Sequence, residues 1–187
     1  MRKIVLFGDS ITGGYLNYQN SDILTEMTAK HLSNMGFPDN QWVNHGVNGE
    51  TSRDALRRLA TIAAENADLV VVFFGDNDII DEKVAVAEYQ ANLQKIVEQL
   101  GADKVLLVGP TYIRSVDQSL LQQYVAAAEA VGKETVSFLN MYQHMTVYPG
   151  VNEFLQTDGL HLSEAGYDLL SSLIARDLKV KMLKDSN

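Results

Sequence analysis

Leu69-Val70-Val71-Val72-Phe73-Phe74 is an almost unbroken run of β-branched and aromatic side chains, and Gly75-Asp76-Asn77-Asp78 follows it directly. A strand with one face in water would alternate apolar and polar residues. A run that is apolar on both faces suits a central parallel strand covered by helices above and below. Outward from it, short apolar runs alternate with helical patterns. Ile4-Val5-Leu6-Phe7 reads as the first strand and Trp42-Val43-Asn44 as the second. Val105-Leu106-Leu107-Val108, stopped by Gly109-Pro110, is the fourth, and Val136-Ser137-Phe138-Leu139 the fifth.

The segments between these runs carry apolar residues at helical spacing. Ile23, Leu24, Met27, His31 and Leu32 predict a helix over 21–35, ended by Gly36-Phe37-Pro38. Thr51-Ser52 has the chemistry of an N-cap, with Ala55, Leu56, Leu59, Ile62 and Ala63 on one face of the helix after it. Further helices are predicted over 84–100, with Gly101 as C-cap, and over 119–131, closed by Gly132. The last runs over 163–178, with Ser163 as N-cap and Glu164 in its first turn. Strands alternating with helices mean right-handed βαβ units, hence an α/β fold around a five-stranded parallel sheet. In such sheets the ligand sits at the carboxyl ends of the strands. The polar groups there are Asp9 and Ser10, then residues 48–51, then Asp76-Asn77-Asp78, then Thr111 and Tyr112. Four strand ends thus deliver polar, mostly glycine-rich segments to one edge.

A chain of 187 residues with 46% hydrophobic residues favours one domain spanning residues 1–187, with a sizeable core. The net charge of −9 argues against a nucleic-acid groove and against an anionic membrane surface as partner. There is no cysteine, so disulfides, a thiolate nucleophile and zinc–thiolate sites are excluded. Met1-Arg2-Lys3 leads into an apolar run too short for a signal-peptide core, and no apolar stretch approaches the ~20 residues of a membrane-spanning helix. The reading is a soluble cytoplasmic protein acting on a small molecule, equally compatible with a monomer and a homo-oligomer.

Phe7-Gly8-Asp9-Ser10-Ile11-Thr12 near the start and Asp158-Gly159-Leu160-His161-Leu162-Ser163 near the end supply a serine, a histidine and an aspartate. Asp-x-x-His places acid and base on one tight turn, where the carboxylate can hold one ring nitrogen while the other faces outward. Of the four histidines, His161 has a carboxylate three residues before it, whereas Trp42 and Met141 stand at that offset from His45 and His144. Ser10 does not lie in the Gly-x-Ser-x-Gly elbow of the α/β-hydrolases, because Thr12 stands two residues after it. A serine nucleophile also needs donors for the oxyanion formed at the carbonyl. The Asn77 amide and the unhindered N–H of Gly49 are candidates.

Gly8-Asp9-Ser10, Gly49, Gly75-Asp76-Asn77-Asp78 and Asp158-Gly159-Leu160-His161, in this order and after the expected elements, resemble the four signature blocks of the SGNH (GDSL-type) hydrolases. The segments 6–12, 49–53 with Ala55-Leu56, 73–78 and 158–163 with Gly166 are similar to the isoamyl-acetate-hydrolysing esterase branch. The resemblance implies a flavodoxin-like three-layer α/β/α sandwich and ester hydrolysis with neither metal nor cofactor. It implies Ser10 as nucleophile, His161 as base and Asp158 as its orienting acid. The oxyanion hole would be formed by the N–H groups of Ser10 and Gly49 and the amide of Asn77. Asp76 departs from the family pattern, in which a small or neutral residue is usual, and is expected to point away from the oxyanion.

Other acyl chemistry on the same site remains open: carbohydrate deacetylation, thioesterase or lysophospholipase activity, and acyl transfer. A receiver-like phosphoacceptor could use Asp9, Asp76 or Asp78 and Thr111, but Asn140 stands where such a site wants a lysine. No Gly-x-Gly-x-x-Gly turn or Walker loop follows the first strand. Gly13-Gly14 reads as a flexible mouth to the pocket. Tyr15, Tyr18, Tyr112, Ile113 and residues 147–154 are expected to line a shallow mouth suited to short acyl groups.

Overall fold

The structure, a computed structural model, describes residues 1–135 and 137–184. Its strands are β1 (Arg2–Gly8), β2 (Asn40–Gly46), β3 (Leu69–Phe73), β4 (Val105–Val108) and β5 (Ser137–Leu139). All pair in parallel, in the order β2-β1-β3-β4-β5. This is the doubly wound flavodoxin-like order, in which the chain reverses its direction of travel across the sheet between β1 and β3. In register, Gly8 at the end of β1 lies opposite Gly46 of β2 and Phe73 of β3. The segments that follow these three strands therefore leave the sheet at one level.

The helices are α1 (Ile23–Asn34), α2 (Ser52–Ala64), the single turn α3 (Asp76–Ile79), α4 (Val86–Leu100), α5 (Gln118–Thr135), α6 (Met141–Thr146) and α7 (Glu164–Lys184), with 3₁₀ turns at Ile80–Glu82 and Val151–Phe154. Alternate residues of each strand point to opposite faces. Val5, Phe7, Val70, Val72 and Phe74 pack with Ala55, Leu59 and Ile62 of α2, Leu93 and Ile96 of α4 and Tyr124 of α5. Ile4, Leu6, Leu69, Val71 and Phe73 pack with Leu24 and Leu32 of α1 and Tyr167, Leu170 and Ile174 of α7. Both faces of the central strands are covered, as their apolar sequence demands. Each such side chain removed from water contributes about 1.5–3 kcal/mol before the entropy of ordering is subtracted. No helix among the described residues is long and apolar enough to cross a membrane.

The α/β class and the parallel sheet agree with the sequence reading; the element ends differ in instructive places. Val136, expected to open the fifth strand, lies outside the described residues, and β5 begins at Ser137. Gly132 does not close its helix, since α5 continues to Thr135. The glycine serves a close approach instead: a Cβ there would stand 2.6 Å from Cβ of Phe138 on β5. α7 runs past the expected end at 178 because Lys181 and Met182 are still buried there. Gly13-Gly14 is not a loose mouth. A Cβ on Gly14, whose φ is +70°, would lie 2.0 Å from the carbonyl oxygen of Ser21, and one on Gly46 would lie 2.1 Å from the nitrogen of Gly13. The loop after β1 is pressed against the end of β2.

Candidate active site

Ser10 follows β1 and is buried to 6% exposure. Its Oγ lies 3.0 Å from Nε2 of His161. His161 Nδ1 lies 2.7 Å from Oδ2 of Asp158. The structure thus brings residues 151 positions apart into one hydrogen-bonded line. The acid–base turn is shaped by its own sequence. Asp158 Oδ1 accepts the backbone N–H groups of Leu160 and His161, each at 3.0 Å, which leaves Oδ2 for the ring. Gly159 between them has φ +72°, a conformation costly for any side chain. Burial of Asp158 opposes its charge, but the bonds from the His161 ring and from the Leu160 and His161 N–H groups outweigh that and hold its carboxyl below the usual range. The carboxylate is the acceptor of that ring contact, so the proton belongs on Nδ1 and the Nε2 lone pair faces Ser10.

The turn carrying His161 is tied to the loop after β1. Gln156 donates its N–H to the His161 carbonyl at 2.8 Å, and its Nε2 to the carbonyls of Tyr15 (3.0 Å) and Leu162 (2.9 Å). The Tyr15 ring packs on the imidazole, with centroids 4.4 Å apart, and its N–H donates to the Ser10 carbonyl at 2.9 Å. No sequence pattern marks Gln156, because the groups it joins lie 141 and 6 residues away. Two of the other histidines also have carboxylate partners. His31 meets Asp168 at 3.0 Å and His45 meets Glu65 at 2.8 Å, both by tertiary contact, with Asp168 and Glu65 far from them in sequence. Neither is bonded to a serine.

Gly49 follows β2 in an exposed turn with φ +78°. Among the described residues no acceptor takes the N–H of Gly49 or that of Ser10. Asn77, at the start of α3, reaches the same strand-end edge, but both of its amide hydrogens are engaged: Nδ2 donates to Asp9 Oδ2 at 3.1 Å and to the Glu50 carbonyl at 3.0 Å.

Three carboxyls lie buried beneath this edge. Asp9 accepts the Ile11 N–H at 2.9 Å; burial pushes its carboxyl well above the usual range, with Asp76 adding to the effect. Asp76 accepts the N–H (3.0 Å) and hydroxyl (2.6 Å) of Thr111, so its carboxylate is turned toward the loop after β4. Burial raises it to about 6, against the opposing pull of the Thr111 bonds and of His161. Asp78 accepts the Ser52 N–H at 2.9 Å and the Ser52 hydroxyl; burial raises it to about 6 as well. Each carboxyl has protein donors, an arrangement that anchors the loops after β1, β2, β3 and β4 to one another.

Of the residues expected at the mouth, Ile113 is instead fully buried in the core. Tyr112 pairs with Tyr142 (6.4 Å between centroids), and Tyr148, half exposed, with Phe154 (5.6 Å). A depression of about 360 Å³, lined by Tyr15, Tyr18, Leu155, Gln156, Asp158 and Glu164 among others, opens beside the Asp158 turn.

A serine, a histidine and a carboxylate in line, at the carboxyl edge of a parallel sheet of order 2-1-3-4-5, form an arrangement that hydrolases with a nucleophilic serine use. The chain belongs to the GDSL-like lipase/acylhydrolase family, whose model matches residues 6–169, and is a carboxylic ester hydrolase of that family. It is similar to the crystal structure of a lipase/acylhydrolase from Enterococcus faecalis, at 41% identity and a TM-score of 0.93, with 97% of each chain covered. It is 31% identical to Esterase TesA of Pseudomonas aeruginosa over 86% of this chain and 79% of that protein. It is 32% identical to an isoamyl acetate-hydrolyzing esterase of Schizosaccharomyces pombe, over 90% of this chain and 71% of that protein.

Proposed function

We propose that this chain hydrolyses small carboxylic esters with short acyl groups through an acyl-enzyme on Ser10. The observation that carries the reading is the continuous line Ser10 Oγ–His161 Nε2 and His161 Nδ1–Asp158 Oδ2, at 3.0 and 2.7 Å. His161 takes the hydroxyl proton as Ser10 Oγ attacks the acyl carbonyl, and Asp158 stabilises the imidazolium. The two N–H groups that no described residue accepts, of Ser10 and Gly49, meet the oxyanion. Asn77 completes the hole by turning one N–H from the Glu50 carbonyl to the oxyanion. Collapse expels the alcohol with the proton from His161. Water, deprotonated by the same imidazole, then releases the acid. No metal or cofactor enters these steps.

Short acyl selectivity is supported by the named activity of the fission-yeast relative and by the depression beside Asp158, whose lining mixes Tyr15, Tyr18, Asn17 and Gln156 with Leu16 and Leu155. Action in the cytoplasm is part of the same proposal and rests on the cysteine-free sequence. The test is labelling with a serine-directed phosphonate during turnover of p-nitrophenyl acetate. Wild type should lose activity as one equivalent of label enters at Ser10, and folded Ser10→Ala should neither label nor turn over. Turnover by folded Ser10→Ala at the wild-type rate would overturn the assignment.

A further inference from the structure

Arg58 lies on α2, outside the residues given a role above, yet its guanidinium is bonded to three segments of the site at once. Nε donates to Glu50 Oε1 and Oε2 at 2.9 and 2.7 Å. Nη2 stands 2.5 Å from Glu50 Oε2 and donates to the carbonyls of His45 (2.8 Å) and Gly8 (3.2 Å). Its Cζ lies 4.8 Å from the centre of the Phe7 ring. Gly8 closes the strand that presents Ser10, and His45 lies at the end of the strand that presents Gly49. Glu50 is the residue after Gly49, and its carbonyl accepts the Asn77 amide. One planar fork therefore joins the end of β1, the end of β2 and the turn after β2, and it meets the Asn77 segment through Glu50 alone.

We propose that Arg58 is a positioning residue of the hydrolytic reaction, holding the 47–50 turn so that the N–H of Gly49 converges with that of Ser10; this rests on the oxyanion roles assigned above. The turn needs such a hold. Val47, Asn48 and Gly49 are exposed, and no atom comes within 4 Å of the place where a Cβ on Gly49 would sit. Packing does not fix it from that side. The other bonds of the turn are Glu50 N–H to the Val47 carbonyl (3.3 Å), Val47 N–H to the Gly8 carbonyl (3.0 Å) and the Asn77 amide to the Glu50 carbonyl (3.0 Å), none of which fixes the Glu50 side chain. The Arg58 and Glu50 side chains are only 21% and 16% exposed, so water competes weakly for their bidentate pairing. An ordinary surface ion pair would not direct two further N–H bonds at strand-end carbonyls. Lysine keeps the charge but lacks the fork that reaches a carboxylate and two carbonyls together.

The experiment compares wild type, Arg58→Ala, Arg58→Lys and Glu50→Gln in steady-state hydrolysis of p-nitrophenyl acetate, with circular dichroism and urea midpoints recorded for each. Displacement of a catalytic donor by an ångström costs on the order of a hundredfold. We expect Arg58→Ala to lower kcat by roughly that factor with KM within about twofold of wild type. Arg58→Lys and Glu50→Gln should fall between the two. Added ethylguanidinium, below denaturing concentration, should restore part of the Arg58→Ala rate and leave wild type unchanged. A merely structural role would lower the urea midpoint but would neither split kcat from KM nor respond to ethylguanidinium. A folded Arg58→Ala enzyme with kcat within about threefold of wild type overturns the proposal, as does a loss that neither the lysine variant nor ethylguanidinium relieves. Where Arg58→Ala does not fold, the other two variants decide: wild-type kcat in both overturns it. A wild type with no esterase activity would fail the proposed function itself, whereas an active wild type with indifferent variants fails this inference alone.

Discussion

Asp78→Asn should make the protein more stable at neutral pH and less stable in acid. Asp78 is fully buried, and its carboxyl rises from the ordinary 3.8 to about 6, mainly through loss of hydration. That difference disfavours its charged form in the folded protein by about 3 kcal/mol. The sign follows from linkage. Below about 3.8 the carboxyl is neutral in folded and unfolded chains and its contribution to stability is fully present. As pH rises, the unfolded chain ionises first, and the contribution is lost until the folded carboxyl ionises near 6; above that it stays lost. About 2 of the 3 kcal/mol fall between about pH 4.5 and about pH 7.5. Asparagine has no such titration. Its oxygen can accept the Ser52 N–H and its amide can donate to Ser52 Oγ, which also accepts the Asn92 amide at 3.0 Å. The Ser52 hydroxyl proton then loses its acceptor, at about 1 kcal/mol. The net expectation is about 2 kcal/mol of stabilisation near pH 7.5 and near zero or slight destabilisation near pH 4.5. Urea unfolding of both proteins across that range measures the difference directly. A mutant-minus-wild-type difference that is flat with pH, or that grows toward acid, would refute the reasoning, because Asp9 and Asp76, both raised by the Asp78 charge, are relieved by its removal and shift the difference in the same direction.

Asn77→Ala should lower kcat roughly a hundred- to a thousandfold with a smaller change in KM, since in the proposed mechanism its amide meets charge that exists mainly in the transition state; a change in KM alone would remove it from the oxyanion hole. Across a series of p-nitrophenyl esters, kcat/KM should peak at acetate or butyrate; a deep acyl channel would instead add about 0.8 kcal/mol per buried methylene and move the maximum to long chains. Gly14→Ala should cost several kcal/mol by thermal unfolding, because the new Cβ would lie 2.0 Å from the Ser21 carbonyl oxygen at φ +70°, and an unchanged melting temperature would contradict that packing. Activity should survive exhaustive chelation, because the proposed steps use only side chains and backbone N–H groups of the protein; loss with EDTA that added metal reverses would speak for a metal-assisted route.

The sequence by itself determined what depends on local chemistry. The both-faced apolar run at 69–74 called for a covered parallel strand, and β3 is buried throughout. The Asp-x-x-His spacing determined the acid–base turn, because Asp158 reaches the His161 N–H and ring within three residues. Thr51 and Asp54 built their capping box for the same reason. The tertiary structure decided whatever needed distant segments side by side. That Ser10 faces His161 follows from α7 folding back across the face of β1, with the Tyr167 hydroxyl donating to the Ile11 carbonyl at 3.1 Å. Gly132 looked like a helix stop because its role, admitting Phe138, depends on where β5 packs. Ile113 looked like a mouth residue because nothing local says that the loop after β4 turns inward. The carboxylate partners of His31 and His45 and the three-way hold of Arg58 were equally invisible. A pattern along the chain records which face of an element is apolar and which turns are tight. It does not record which polar groups meet across the sheet edge, because that depends on strand order and register, set by packing of the whole core.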